Sequence, residues 1–117
     1  MKEKLLEVMI ETEGYGGRPK YTLYYADKKG EPVTVLLPIG LWNKSVIVNE
    51  LIRSQYSQDH VEAIINNHFL NIAEWIDSKF AGEEIIFEDK EYDELQAWRK
   101  ISKGIAEEAL NRYPAIN

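Results

Sequence analysis

Apolar and polar positions alternate with a period of two residues near the start of the chain. Leu6, Val8 and Ile10 alternate with mostly acidic residues, a pattern typical of a half-buried β-strand. A helix is the competing interpretation, because Leu5 and Met9 are spaced four residues apart. We predict a first strand with Leu6, Val8 and Ile10 on one face.

Two further alternating runs follow, at residues 20–26 and 33–37. A glycine-rich break precedes the first run, and the two runs are separated by residues 27–30, whose sequence Asp-Lys-Lys-Gly suits a tight turn. Such a short connection favours antiparallel pairing, because a parallel return needs a long crossover. The pattern therefore predicts a three-stranded antiparallel meander over residues 4–37.

Helical periodicity replaces the alternation in the second half of the chain. Residues 46–55 form a first helical segment, for which Asn43 or Ser45 is a suitable N-cap. A second helix follows Ser57, and a third runs from Asp89 to about residue 112. The second helix has the clearest apolar stripe, with eight positions at 3.6-residue spacing: Val61, Ile64, Ile65, His68, Phe69, Ile72, Trp75 and Ile76.

Strands that precede helices indicate the α+β class rather than α/β. We predict one compact domain over residues 1–117, with three helices packed on one face of the meander. The stripe around Ile65, Phe69 and Ile72 is expected to cover the sheet. The apolar run at residues 85–87 allows either a short fourth strand near 84–88 or a docking segment.

Composition excludes several classes of protein. The 117 residues are 44% hydrophobic and 29% charged, which is ordinary for a globular domain. The absence of cysteine excludes disulfides, thiolate metal sites and cysteine nucleophiles. Early glutamates argue against a signal peptide, and no apolar run approaches the about 20 residues of a membrane span. We expect a cytoplasmic protein without a membrane segment.

The charge is unevenly distributed. Residues 1–60 carry 8 basic and 8 acidic side chains, whereas residues 61–117 carry 6 basic and 12 acidic ones. Within the second half, residues 83–94 hold 7 acids and one lysine. This acidic segment would repel phosphate backbones and attract a basic partner.

The main functional hypothesis is a small, non-enzymatic protein-interaction domain that uses the acidic segment with Phe87 or Trp42 as an apolar anchor. An acidic helix start is the simpler explanation of the segment, and a core plug is the favoured explanation of Trp42. The segment does not have the glycine and glutamate positions of an EF-hand. The candidate residues are Glu84, Phe87, Glu88, Asp89, Glu91, Asp93 and Trp42.

The alternative hypothesis is a nucleic-acid-binding accessory protein that works through the hairpin at residues 14–29. Aromatic residues beside basic ones on a sheet can stack bases and hold phosphates. Tyrosine is also a good strand former, and the sequence has no RNP1 pattern. The candidate residues are Tyr15, Arg18, Lys20, Tyr24, Lys28 and Lys29.

No catalytic residue, metal or cofactor is predicted. His60 and His68 are eight residues apart on one predicted helix, about 12 Å along its axis, which is too far to share a metal ion. The serines lie outside any G-x-S-x-G motif. An enzyme whose pocket forms from distant residues remains a third option, and an uncovered apolar stripe would allow a homodimer.

Overall fold

The computed structural model describes residues 3–82 and 87–114 as an antiparallel sheet followed by three helices. The elements are β1 (Lys4–Glu11), β2 (Lys20–Ala26), β3 (Pro32–Leu36), α1 (Lys44–Gln55), α2 (Gln58–Phe80) and α3 (Lys90–Arg112). The strand order β1-β2-β3 with antiparallel pairing confirms the predicted α+β meander. In the described part of the chain, no helix has the length and apolarity needed to cross a membrane.

Each helix begins at a side chain that accepts a hydrogen bond from the backbone N–H three residues later. This bond satisfies one of the amides that have no partner inside the helix. The bonds run from Val46 N to Asn43 Oδ1 at 3.0 Å, from His60 N to Ser57 Oγ at 3.1 Å, and from Tyr92 N to Asp89 Oδ1 at 3.3 Å. The predicted starts at Ser57 and Asp89 are confirmed, and Asn43 rather than Ser45 caps α1.

The main core lies between the sheet and the helices α1 and α3. Leu23 and Tyr25 of the central strand are completely buried, and they form one apolar cluster with Leu51 of α1 and Trp98 of α3. Two buried polar groups have partners there: the Tyr25 hydroxyl lies 2.8 Å from Ser54 Oγ, and Trp98 Nε1 donates to the Leu51 carbonyl at 3.1 Å. The β2 strand is therefore the centre on which α1 and α3 pack.

The first strand differs from the predicted alternation because it contains a β-bulge. Leu5 pairs with Tyr25 and Glu7 with Tyr24, so Leu6 is an extra residue in β1. The bulge places Leu5 and Val8 in the core, at 4% and 6% exposure, and leaves Leu6 40% exposed. The expectation that Leu6 shares a face with Val8 is therefore wrong.

The buried residues of helix α2 lie in its first two turns. Val61 and Ile64 are buried against Leu95 of α3 in a small second cluster. The 23 residues of α2 extend about 35 Å, and the radius of gyration is 18.4 Å against roughly 13 Å for a compact chain of this length. The sequence predicted that the apolar residues around Ile65, Phe69 and Ile72 cover the sheet. This prediction is wrong for Phe69, which is 64% exposed.

The predicted fourth strand near 84–88 falls mostly outside the described residues. The described residues Phe87 and Glu88 have no regular secondary structure, and they lead directly into the N-cap of α3.

The core position of Leu23 gives a direct test of this fold. Leu23→Ala should lower the free energy of unfolding by about 3 kcal/mol, because it leaves a cavity in the centre of the sheet. Leu36→Ala is the matched control, since Leu36 is 59% exposed on β3 and should cost less than about 1 kcal/mol. Urea denaturation measures both values, and equal losses would contradict the described packing.

Candidate functional site

Three large apolar side chains lie exposed in one line along the second half of α2. Phe69, Ile76 and Phe80 are 64%, 41% and 88% exposed, and their helical positions fall within about 40° of one another. The half-buried Ile65 and Ile72 border the same line. We call these five residues the α2 stripe. Contiguous exposed apolar surface of this kind is typical of binding sites, whereas single exposed apolar residues are common everywhere.

A second apolar arc of α2 is already covered by the rest of the chain. Ile64 packs against α3, and the Trp75 ring lies 5.8 Å from the ring of Phe87. The apolar positions of α2 therefore span a wider arc than its intramolecular contacts use. Leu70, which is 63% exposed, lies on a different side of the helix, roughly 100° away from Phe69.

Asp89 clamps α2 to the start of α3. Its Oδ2 atom accepts hydrogen bonds from His68 Nδ1 at 2.8 Å and from Asn71 Nδ2 at 3.2 Å, while its Oδ1 atom caps α3. The His68 ring stacks on Tyr92 with 3.5 Å between centroids and 5° between planes. We call these four residues, His68, Asn71, Asp89 and Tyr92, the Asp89 clamp.

The clamp stabilises the charged form of its carboxylate. The hydrogen bond from His68 lowers the pKa of Asp89 below its ordinary value, and the hydrogen bonds from Asn71 and from the Tyr92 amide add to this effect. Partial removal from water acts in the opposite direction but does not reverse the shift. Asp89 is thus a negative hydrogen-bond acceptor shared by two helices.

The structure divides the residues predicted in the acidic segment into two groups. Phe87 and Asp89 contact α2, the former through His68 at 5.7 Å between ring centroids. The carboxylates of Glu88, Glu91 and Asp93 are exposed and form no salt bridge with any described residue. Glu84 lies outside the described part of the chain.

Trp42 lies inside the core. It is 7% exposed, its ring stacks on Tyr21 with 4.5 Å between centroids, and its Nε1 donates to the Tyr113 carbonyl at 2.6 Å. This position agrees with the favoured interpretation of Trp42 as a core plug. Little of its ring surface remains for an external partner.

The six residues of the nucleic-acid hypothesis are spread along the hairpin. Lys20 lies at one end of β2 with its Nζ 5.3 Å from the Tyr15 ring centroid, whereas Lys28 and Lys29 follow the other end, about 20 Å away. On the neighbouring strand β1, Glu7 pairs with Tyr24 of β2 and Glu11 pairs with Lys20 of β2.

Carboxylates therefore interrupt the basic and aromatic positions on this surface. The remaining candidate, Arg18, packs its side chain against Gly40, with 3.1 Å between Arg18 Cδ and the position that a Cβ at Gly40 would take. The nucleic-acid hypothesis stays a prediction, but these residues do not form one continuous basic face.

A cleft of about 370 Å³ lies between the β2–β3 turn, the end of α1 and the middle of α3. Tyr56, Trp98 and Ile101 line it together with charged residues of both signs, among them Lys28 and Glu94. Burial raises the pKa of Tyr56, and the nearby Glu94 and Glu91 raise it further. Neither histidine lines this cleft, and in the described ranges no three His, Asp or Glu residues are grouped to hold a metal ion.

The sequence analysis did not identify the α2 stripe as a binding surface, because it placed Ile65, Phe69 and Ile72 against the sheet and kept an uncovered apolar stripe only as an option for a homodimer. The signal was present in the width of the apolar arc and in Phe80, which continues the line of Phe69 and Ile76 one turn further. Neither a protein-family model, nor a curated protein, nor a solved structure matches this chain.

The Asp89 clamp predicts a specific loss of stability in acid. Because the folded-state pKa of Asp89 is depressed, its contribution is complete above the unfolded-state pKa of about 3.9 and disappears as the pH falls through the lower folded-state value. Asp89→Asn keeps a capping side chain but removes the charge. We expect the wild type to have a higher free energy of unfolding than this variant at pH 6. Urea denaturation should show that the difference becomes smaller towards pH 2.

Asp93→Asn is the matched control, since Asp93 is an exposed acid in the same first turn of α3. At pH 6, Asp93→Asn should lower the free energy of unfolding by less than Asp89→Asn does. A difference between the wild type and Asp89→Asn that is constant across this pH range would contradict the role of the clamp.

Proposed function

We propose that this protein is a protein-interaction domain that binds its partner through the α2 stripe, with the exposed carboxylates of the acidic segment beside it. The observation that supports this best is the exposure of Phe69, Ile76 and Phe80 along one line of a helix that extends beyond the core. Helices recognise partners through apolar side chains repeated at this spacing.

The exposed stripe has a physical cost in the absence of a partner. Burial of apolar surface is favourable by about 25 cal/mol per Å², and Phe80 at 88% exposure contributes almost none of this to folding. A partner that covers the stripe recovers this free energy. Aromatic side chains are also among the residues that contribute most to binding at protein interfaces.

The acidic segment keeps a part in this proposal, with a different anchor from the one expected from sequence. Phe87 packs between His68 and Trp75, and this contact brings the exposed Glu88 next to α2. The anchoring apolar surface is therefore proposed on Phe69 and Phe80 rather than on Phe87, whose ring packs against α2, or on the buried Trp42. Charges at the rim of such an interface affect the association rate and the choice of partner more than the affinity.

The double variant Phe69→Ser, Phe80→Ser tests this function. Proteins captured from native lysate by the wild type should be lost with the double variant, because the partner's apolar contacts are removed. Leu70→Ser is the matched control, since Leu70 is equally exposed on α2 but lies off the stripe. Quantitative mass spectrometry of the eluates measures the difference, and recovery with the control should equal that of the wild type.

The same variants must remain folded for this comparison to hold. Both substituted phenylalanines are exposed, so the free energy of unfolding should change by less than about 1 kcal/mol. If a folded double variant captures the same proteins as the wild type, the α2 stripe is not the binding surface.

A further inference from the structure

Carboxylates lie at one end of the α2 stripe and along one of its edges. Glu62 lies in line with it near the start of α2, and Asp77 lies beside it, one residue from Ile76 and three from Phe80. On the opposite side, Phe87 packs against Trp75, so that Glu88, the next residue, follows near this side of the helix, which also carries Lys79. The stripe therefore has carboxylates at one end and along one edge, and charges of both signs near its other edge.

These carboxylates are available to a partner. Glu62, Asp77 and Glu88 are exposed, and within the described ranges none of them forms a salt bridge. Glu62 Oε1 accepts one hydrogen bond, from Gln58 Nε2 at 3.2 Å. The helix α2 carries four acids and a single lysine, Lys79, whose Nζ lies 5.6 Å from the centroid of the Trp75 ring. Helix α2 thus keeps an excess of three acids over its one lysine, and a cationic partner would neutralise this negative charge.

The dimensions of the stripe match one helix. From Ile65 to Phe80 it runs 15 residues along α2, which is about 23 Å or four helical turns. Its positions are separated by three or four residues, the spacing at which a second helix places its own apolar side chains.

A second copy of this chain is a poorer occupant. Each copy has a net charge of −6, and pairing of two α2 stripes would bring the bordering carboxylates of both copies into one interface. Like charges placed together across an interface cost free energy. An anionic lipid surface and a nucleic acid are disfavoured for the same reason.

We infer that the partner presents a cationic amphipathic helix, whose apolar side covers the α2 stripe and whose lysine or arginine side chains meet Glu62, Asp77 and Glu88. This inference rests on the proposed interaction function and names the chemistry of its partner. Apolar contacts supply most of the affinity, and the charge pairs select a basic helix over an acidic one.

A synthetic peptide of about 18 residues serves as the probe, with leucine at helical i, i+3, i+4 and i+7 spacing and lysine elsewhere. One comparison peptide has glutamate in place of lysine, and another has the same composition with its leucines scrambled. Fluorescence anisotropy of the labelled peptides with the full chain measures affinity. We expect the cationic amphipathic peptide to bind at least about tenfold more tightly than either comparison peptide.

Variants of the protein locate the binding site. Phe69→Ser, Phe80→Ser should weaken binding by at least about tenfold, whereas Leu70→Ser should leave it unchanged. Asp77→Asn, Glu88→Gln should weaken binding and reduce its dependence on salt. Equal binding of the scrambled peptide, or of the glutamate peptide, would overturn the inference.

The remaining outcomes separate this inference from the proposed function. If no peptide binds but sedimentation shows a dimer that the Phe69→Ser, Phe80→Ser variant abolishes, a second copy is the occupant. The cationic partner is then rejected and the interaction function stands. If no peptide binds, the chain is monomeric and the Phe69→Ser, Phe80→Ser variant captures the same proteins from lysate as the wild type, the cationic partner and the interaction function are both rejected.

Discussion

One carboxylate group holds two helices of this protein together. Asp89 caps α3 with one oxygen and accepts hydrogen bonds from His68 and Asn71 of α2 with the other. Because both oxygens are engaged, the direction in which α2 leaves the core is tied to the first turn of α3. The stacking of His68 on Tyr92 adds a flat contact between the same two helices.

The direction of α2 decides which of its apolar residues are covered. Val61 and Ile64 meet α3, and Trp75 meets Phe87, whereas Phe69 and Phe80 remain on the far side of the same helix. The sheet is already occupied by α1 and α3, whose side chains form the main core with β2. The apolar side of α2 thus has one part that stabilises the fold and one part that is proposed to bind a partner.

Local signals in the sequence were sufficient to predict the elements of the fold. Ser57 and Asp89 cap helices, and the Asp-Lys-Lys-Gly sequence forms the turn between β2 and β3. These features could be predicted because each depends only on residues a few positions apart. The bulge at Leu6 was not predictable, since it depends on the pairing with β2. The exposure of Phe69 and the hydrogen bond from His68 to Asp89 depend on how α2 packs against the rest of the chain. Helical periodicity does not contain this information, because it cannot distinguish an apolar face that contacts the sheet from one that contacts solvent.

Hydroxyl-radical footprinting of the isolated protein tests most directly whether the α2 stripe is uncovered. Under dilute conditions in which light scattering shows a monomer, we predict rapid oxidation of Phe69 and Phe80, and protection of the completely buried Tyr25 and Leu51. Rapid oxidation would support a surface that is free to receive a partner. Protection of Phe69 and Phe80 in the monomer would mean that the chain covers its own stripe, and this would contradict the proposed role of α2 as a binding surface.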